Sequence, residues 1–173
     1  NSCKILSDIA KSNQSKSFIY FSSAHVYKSP LVGHIDENTK IENEHPYALS
    51  KIIGETILLN ELKNSNVDLK IIRLSNAIGY PVYENTNCWS LFINNICKNI
   101  IKFSKAQVRS NLYIERNFIT ISDVCNFIKG VLENNNLGSV KILNLGGRKS
   151  LNLKELIEII KVNMNKHNID NFE

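Results

Sequence analysis

Apolar and polar residues follow two rhythms in the first half of the chain. In NSCKILSDIAKSNQ, Ile5, Leu6, Ile9 and Ala10 recur at helical spacing, which predicts an amphipathic helix over 3–14 with those side chains on one face. SFIYFSS, residues 17–23, is a short apolar run rich in β-branched and aromatic residues that ends in hydroxyls, and it predicts a buried strand. From His25 to His45 neither rhythm holds. That stretch contains Pro30 and Gly33 and reads as a long loop, a length usually reserved for function in a compact domain. Pro46 suits a first helical position, and Ala48, Ile52, Glu55 and Leu59 carry a helix onward to near Asn64. Asn66 and Asp68 mark a turn before LKIIRLS, residues 69–75, a second buried strand. Helices alternating with buried strands predict a parallel sheet covered by helices.

The second half changes character. AIGYPVYENTN reads as a loop, and WSLFINNICKNIIKFSK, residues 89–105, as a helix with Leu91, Phe92, Ile96 and Ile100 inward. NFITIS, residues 117–122, predicts a short strand, with Ser122 capping a helix over 123–134. VKILNL, residues 140–145, predicts a strand ending at Gly146-Gly147. Asn152 and Glu155 have the spacing of a capping box for a helix over 153–164.

Composition narrows the class. With 43% hydrophobic and 21% charged residues in 173, the chain reads as a soluble globular protein of one domain or two small lobes. No apolar run approaches membrane-spanning length and no signal-peptide core is present, so no membrane partner is expected. Cys3, Cys88, Cys97 and Cys125 are scattered without metal or disulfide spacing, and the four histidines add none. They read as reduced thiols of a cytoplasmic protein without a metal. The net charge of +5 is spread thinly, with no basic run and no interleaved aromatics, so no nucleic-acid partner is expected. A mild attraction for an acidic small molecule, such as a nucleotide diphosphate, remains.

The candidate chemistry lies in HPYALSK. Tyr47 and Lys51 stand four apart, on one helix face. Tyr47 is in the first turn, where the helix dipole favours an anion, and a neighbouring ammonium favours its phenolate further. Such a tyrosine serves as a general acid or base. Upstream, a strand ends in Ser22-Ser23, and ligands of parallel α/β sheets sit beyond carboxyl strand ends. A serine there can hydrogen-bond a substrate oxygen.

Five segments in order resemble the extended short-chain dehydrogenase/reductase family, its branch of NAD-dependent nucleotide-sugar epimerases, dehydratases and reductases. YFSSAHVY resembles the strand motif with the catalytic hydroxyl at Ser23, and HPYALSK the PYxxSK signature. RLSNAIGYP is similar to the stretch giving Arg73, Asn76, Gly79 and Pro81. RNFITISDVCNFI supplies Arg116, Phe118 and Asp123, and ILNLGGRKSLNLKELI supplies Asn144, Gly146 and Glu155. The resemblance implies Ser23, Tyr47 and Lys51 as catalytic residues, and Tyr47, Lys51 and Ser22 as contacts to NAD or NADP. It implies Asn76, Arg116 and His25 as contacts to a nucleotide-sugar substrate, with Asp123 a helix-terminal residue. The implied reaction is hydride transfer at C4 of the sugar, as 4-keto reduction or epimerisation. The implied fold is α/β: the C-terminal part of a Rossmann-like doubly wound parallel sheet plus a small α/β substrate-binding lobe. Residues 1–82 would form the partial dinucleotide-binding domain, 83–115 and 139–173 the lobe, and 116–138 the return segment. A homodimer through the helices at 3–14 and 46–63 is implied as well.

The departures from the family pattern also inform. Ala24-His25 replaces the Asp-Glu pair of 4,6-dehydratases and disfavours elimination, and the loop after His25-Val26-Tyr27 most resembles dTDP-4-dehydrorhamnose reductase-like proteins. His25 stands where some relatives place a proton-transferring cysteine. Lys28 replaces a common glycine. No GxxGxxG turn follows a strand, and the first residue is not Met, so the chain is expected to be a fragment or a truncated relative. Alternatives are a non-catalytic nucleotide-binding or scaffold protein, or a remnant without a stable fold. Without a pyrophosphate cradle, the 173-residue chain is expected to bind dinucleotide weakly or not at all. A calorimetric titration showing tight NAD(P)(H) binding would contradict this.

Overall fold

Five consecutive buried residues, Leu69 to Arg73, mark the strand around which the first half is built. The computed structural model describes residues 2–83, 85–105, 107–108, 111–134 and 141–166. The chain runs α1 (Ser2–Ser12), β1 (Ser17–Ser23), a 3-10 turn (Ala24–Val26), α2 (Pro46–Glu61), β2 (Asp68–Leu74) and β3 (Asn76–Ile78). It continues through α3 (Phe92–Phe103), β4 (Glu115–Thr120), α4 (Ile121–Asn134), β5 (Ile142–Leu145), β6 (Ser150–Asn152) and α5 (Leu153–Lys166). It divides into two compact units, Asn1–Ser75 with Cys125–Gly146, and Asn76–Val124 with Gly147–Glu173.

The first unit holds a parallel sheet in the order β1-β2-β5. Ser17 to Ser23 pair with Asp68 to Leu74, and Ile71 to Leu74 pair with Ile142 to Leu145. Leu69 and Ile71 pack with Leu58 and Leu62 at the α2 end, Val67, and Ala10 of α1. Both strands therefore form where the apolar runs predicted them. One expectation changes, and the buried side of α1 is a finding. The strand at 140–145 joins β2 rather than the second lobe, because its apolar residues complete the central strand's second edge; Val140 itself lies outside the described residues. The inward face of α1 is not Ile5, Leu6 and Ile9, which are exposed; Ser7 and Ala10 are buried and Cys3 packs against the core. Positions 3, 7 and 10 form a stripe of small residues that lets α1 lie close to α2, while Lys4 and Lys11 both pair with Glu61.

The second unit holds β3-β4-β6, with β3 and β4 parallel and β4 and β6 antiparallel. Ile96, Ile100, Leu153, Leu156 and Ile160 form its core. β4 therefore belongs to this sheet, not to a return segment of the first unit. Leu91 is the exposed N-cap of α3, not an inward residue. Ser122 does not cap α4. Thr120 does: its hydroxyl donates to Asp123 Oδ2 at 2.7 Å and accepts the Asp123 N–H at 3.1 Å. Asn152 and Glu155 form the expected capping box, each side chain accepting the other's backbone N–H at 2.9 Å.

Candidate active site

The candidate site in the first unit grows from one face of α2. Pro46 sits in the first turn, and His45 caps the helix by accepting the Tyr47 N–H on Nδ1 at 3.2 Å. This places Tyr47 at the helix start with 48% of its surface exposed. One turn on, Lys51 Nζ donates to the Phe21 carbonyl oxygen at 2.9 Å. Its ammonium stands 5.8 Å from the Tyr47 ring centroid and 5.4 Å from that of Tyr20. A strand carbonyl and two ring faces thus fix the cation beside Tyr47. Another turn on, Glu55 is buried.

β1 supplies the opposing groups. Ser23 ends the strand in extended conformation, is 5% exposed, and accepts the His25 N–H on its hydroxyl at 3.2 Å. The His25 ring lies edge-on to Tyr47, with centroids 6.3 Å apart. Asn43 donates to the His25 carbonyl at 2.7 Å and accepts the His45 N–H at 3.0 Å. It ties the turn after β1 to the start of α2, and the sequence reading missed it inside a featureless loop.

Ser22 departs from its expected role. Strand alternation turns it away from Ser23, and its hydroxyl is donated to Glu55 Oε1 at 2.5 Å in the interior. A hydroxyl spent there is not offered to a cofactor. Arg73 Nε and Nη2 grip Glu55 at 3.1 and 2.7 Å, and Arg73 Nη1 donates to the Tyr27 hydroxyl at 3.0 Å. Tyr27 in turn donates to Asn144 Oδ1 at 2.7 Å, and Glu37 accepts the Asn144 N–H at 2.7 Å. This chain of bonds joins α2, β1, β2, β5 and the long loop beneath the site. Just beyond β2, the buried Ser75 hydroxyl has no hydrogen-bond partner among the described residues.

Tyr20 lies under Lys51 and against Gly54, where an added Cβ would come within 2.3 Å of its hydroxyl. Burial first, then the negative charges possible on Cys3, Glu55 and Tyr47, push its phenol up to about 12.

The second unit carries the other two expected residues. Asn76, on β3, donates to the Asn117 carbonyl at 2.8 Å. Arg116, on β4, stacks on Phe92 with its guanidinium 5.5 Å from the ring centroid. Asn117 holds Gly147 by both backbone groups at 2.8 Å, a clamp that escaped the sequence reading. An added Cβ on Gly147 would meet the Phe118 carbonyl oxygen at 2.1 Å. Among the described residues no group of three or more His, Cys, Asp or Glu side chains could hold a metal ion.

The family model described as NAD dependent epimerase/dehydratase matches residues 3–146. The dTDP-4-dehydro-6-deoxyglucose reductase of Escherichia coli is 29% identical over 139 residues, 79% of this chain and 42% of that protein. The UDP-glucose 4-epimerase of Mycoplasma genitalium is 26% identical over 171 residues, covering 91% of this chain and 50% of that one. Among solved structures, dTDP-glucose 4,6-dehydratase from Bacillus anthracis in complex with NAD superposes with a TM-score of 0.75 at 22% identity. That match covers 92% of this chain and 50% of that one, and shows the fold. The chain spans half or less of the length of these relatives.

Tyr20 gives the site a measurable alkaline signature. The folded protein holds this proton more tightly than the unfolded chain, whose phenol titrates near 10.0. The resulting stability is whole below about pH 10 and is lost as pH rises toward about 12. In urea unfolding, the stability of wild type relative to Tyr20→Phe should be constant at neutral pH and fall across that window. A difference independent of pH would contradict the assignment.

Proposed function

The chain belongs to the NAD dependent epimerase/dehydratase family, and from that premise we propose that it carries the proton-transfer half of a nucleotide-sugar epimerase or 4-keto reductase. The observation that supports this best is the Lys51 ammonium, fixed by the Phe21 carbonyl at 2.9 Å and set 5.8 Å from the Tyr47 ring. The residues fit the nicotinamide-ribose end of a dinucleotide. Lys51 has three N–H donors, of which the Phe21 carbonyl takes one. The orphaned Ser75 hydroxyl, at the carboxyl end of the central strand, is where a ligand of a parallel sheet would meet it. The sequence contains no GxxGxxG turn after a strand to cradle the pyrophosphate.

When bound, the cofactor supplies or accepts a hydride at C4 of the sugar. Tyr47 gives its phenolic proton to O4 on reduction and takes it back on oxidation. Lys51 stabilises the phenolate left behind and holds the ribose hydroxyls. Ser23, its hydroxyl already fixed by the His25 N–H, donates to O4 and orients it. His25, edge-on to Tyr47, lines the same side of the sugar. Ala24-His25 in place of an acidic pair supports reduction or epimerisation over elimination.

A homodimer is part of the same reading. Ile5, Leu6 and Ile9 of α1 and Leu49 and Ile53 of α2 leave the first unit with exposed apolar side chains on two adjacent helices. Among the described residues no helix is long and apolar enough to cross a membrane.

Two measurements test these proposals. In the protein assayed with nucleotide sugar and with NAD(P)(H) at concentrations high enough to offset weak cofactor binding, Tyr47→Phe should lower turnover by roughly 100- to 10,000-fold while leaving nucleotide-sugar binding nearly intact; unchanged turnover would refute the role. Sedimentation should show a dimer that Ile9→Glu with Ile53→Glu converts to monomer. A wild-type protein that sediments as a monomer would sink the dimer.

A further inference from the structure

The buried Glu55–Arg73 pair lies directly beneath the proposed catalytic trio. Tyr47, Lys51 and Glu55 recur every four residues along one face of α2, so they form a ladder on successive turns. Two rungs grip consecutive residues of β1. Lys51 donates to the Phe21 carbonyl at 2.9 Å, and Glu55 accepts from the Ser22 hydroxyl at 2.5 Å. Ser23, the proposed oxygen-orienting residue, comes next in the strand. Glu55 is also clamped by Arg73 at 3.1 and 2.7 Å, and both side chains are about as buried as any in the unit, at 4% and 3% exposure. Arg73 is itself held by the Tyr27 hydroxyl. The carboxylate thus faces Arg73 and Ser22, with the Tyr20 phenol also within its electrostatic reach.

Resting on the functional reading above, we propose that Glu55 and Arg73 are positioning residues. The pair fixes how far α2 advances along β1, and so sets Tyr47 and Lys51 against Ser23. A helix can slide on an apolar seat with little penalty, because apolar contact is not directional. It cannot slide past a two-pronged guanidinium–carboxylate contact without leaving buried charge unpaired. Glu55 touches no substrate. It acts through the turn that carries Lys51.

The test uses the whole chain, with histidine, tyrosine, lysine, isoleucine and leucine side chains isotope-labelled and Tyr47 and Lys51 assigned by Tyr47→Phe and Lys51→Arg. Glu55→Gln keeps the shape and removes the charge. Glu55→Gln with Arg73→Gln removes both charges and covers the case in which the single variant does not fold. Expected in whichever folds are shifted Tyr47 and Lys51 signals and a lost Tyr47–His25 ring cross-peak, with the Ile96 and Leu153 signals of the second unit unmoved. Turnover per site should fall roughly 100-fold, the scale of an ångström-sized misplacement, with KM for the nucleotide sugar nearly unchanged. Wild-type Tyr47 and Lys51 signals in a folded variant would overturn the proposal. So would failure of both variants to fold, since the pair would then be a folding requirement only. Wild-type protein without Tyr47-dependent turnover would defeat the proposed reaction instead, and the ring signals would still decide the positioning role.

Discussion

The first unit depends on a single ion pair held almost wholly out of water, Glu55 on α2 with Arg73 on β2. Charges in such a place are costly unless paired and fully hydrogen-bonded, and stripping one partner typically costs about 3–5 kcal/mol. Here the pairing is complete on both sides. Glu55 accepts from Arg73 twice and from Ser22, while Arg73 also donates to Tyr27. Every element of the unit's sheet is reached in one or two bonds, since Tyr27 passes the chain on to Asn144 of β5. An apolar pair could fill the same volume, but it would specify neither the rotation of α2 nor its advance along the strand.

The chemistry inherits that order. Lys51 is one turn from Glu55 and Tyr47 one turn further, where the helix emerges and the phenol becomes half exposed. The groups proposed to move protons stand on the accessible end of a helix whose buried end is pinned. Asn43 closes the opposite side by joining the turn after β1 to the His45 cap. Gly54 has a related part, since it leaves room for the Tyr20 ring that carries Lys51 from below.

Much of this was legible because local rules and global fold agree. The apolar run at 17–23 became β1 residue for residue, and the spacing of Asn152 and Glu155 became a reciprocal cap. Tyr47 and Lys51 were legible as a pair because four residues make one helical turn. Other features were not. β3 and β6 have three residues each, too few to carry a period. The buried side of α1 was not legible because its neighbour accepts small residues, leaving Ile5, Leu6 and Ile9 outside. Strand alternation alone separates Ser22 from Ser23, sending one hydroxyl to Glu55 and leaving the other at the strand end. The network itself joins residues up to 117 positions apart, so no local pattern announces it.

The central claim is that the Glu55–Arg73 contact, and not apolar burial alone, seats α2 on the sheet. A double-mutant cycle on Glu55→Gln and Arg73→Met, followed by urea unfolding, tests it most directly. A coupling energy of about 2–3 kcal/mol between the two positions is the result this account predicts. A coupling indistinguishable from zero, with the two losses simply adding, would contradict it.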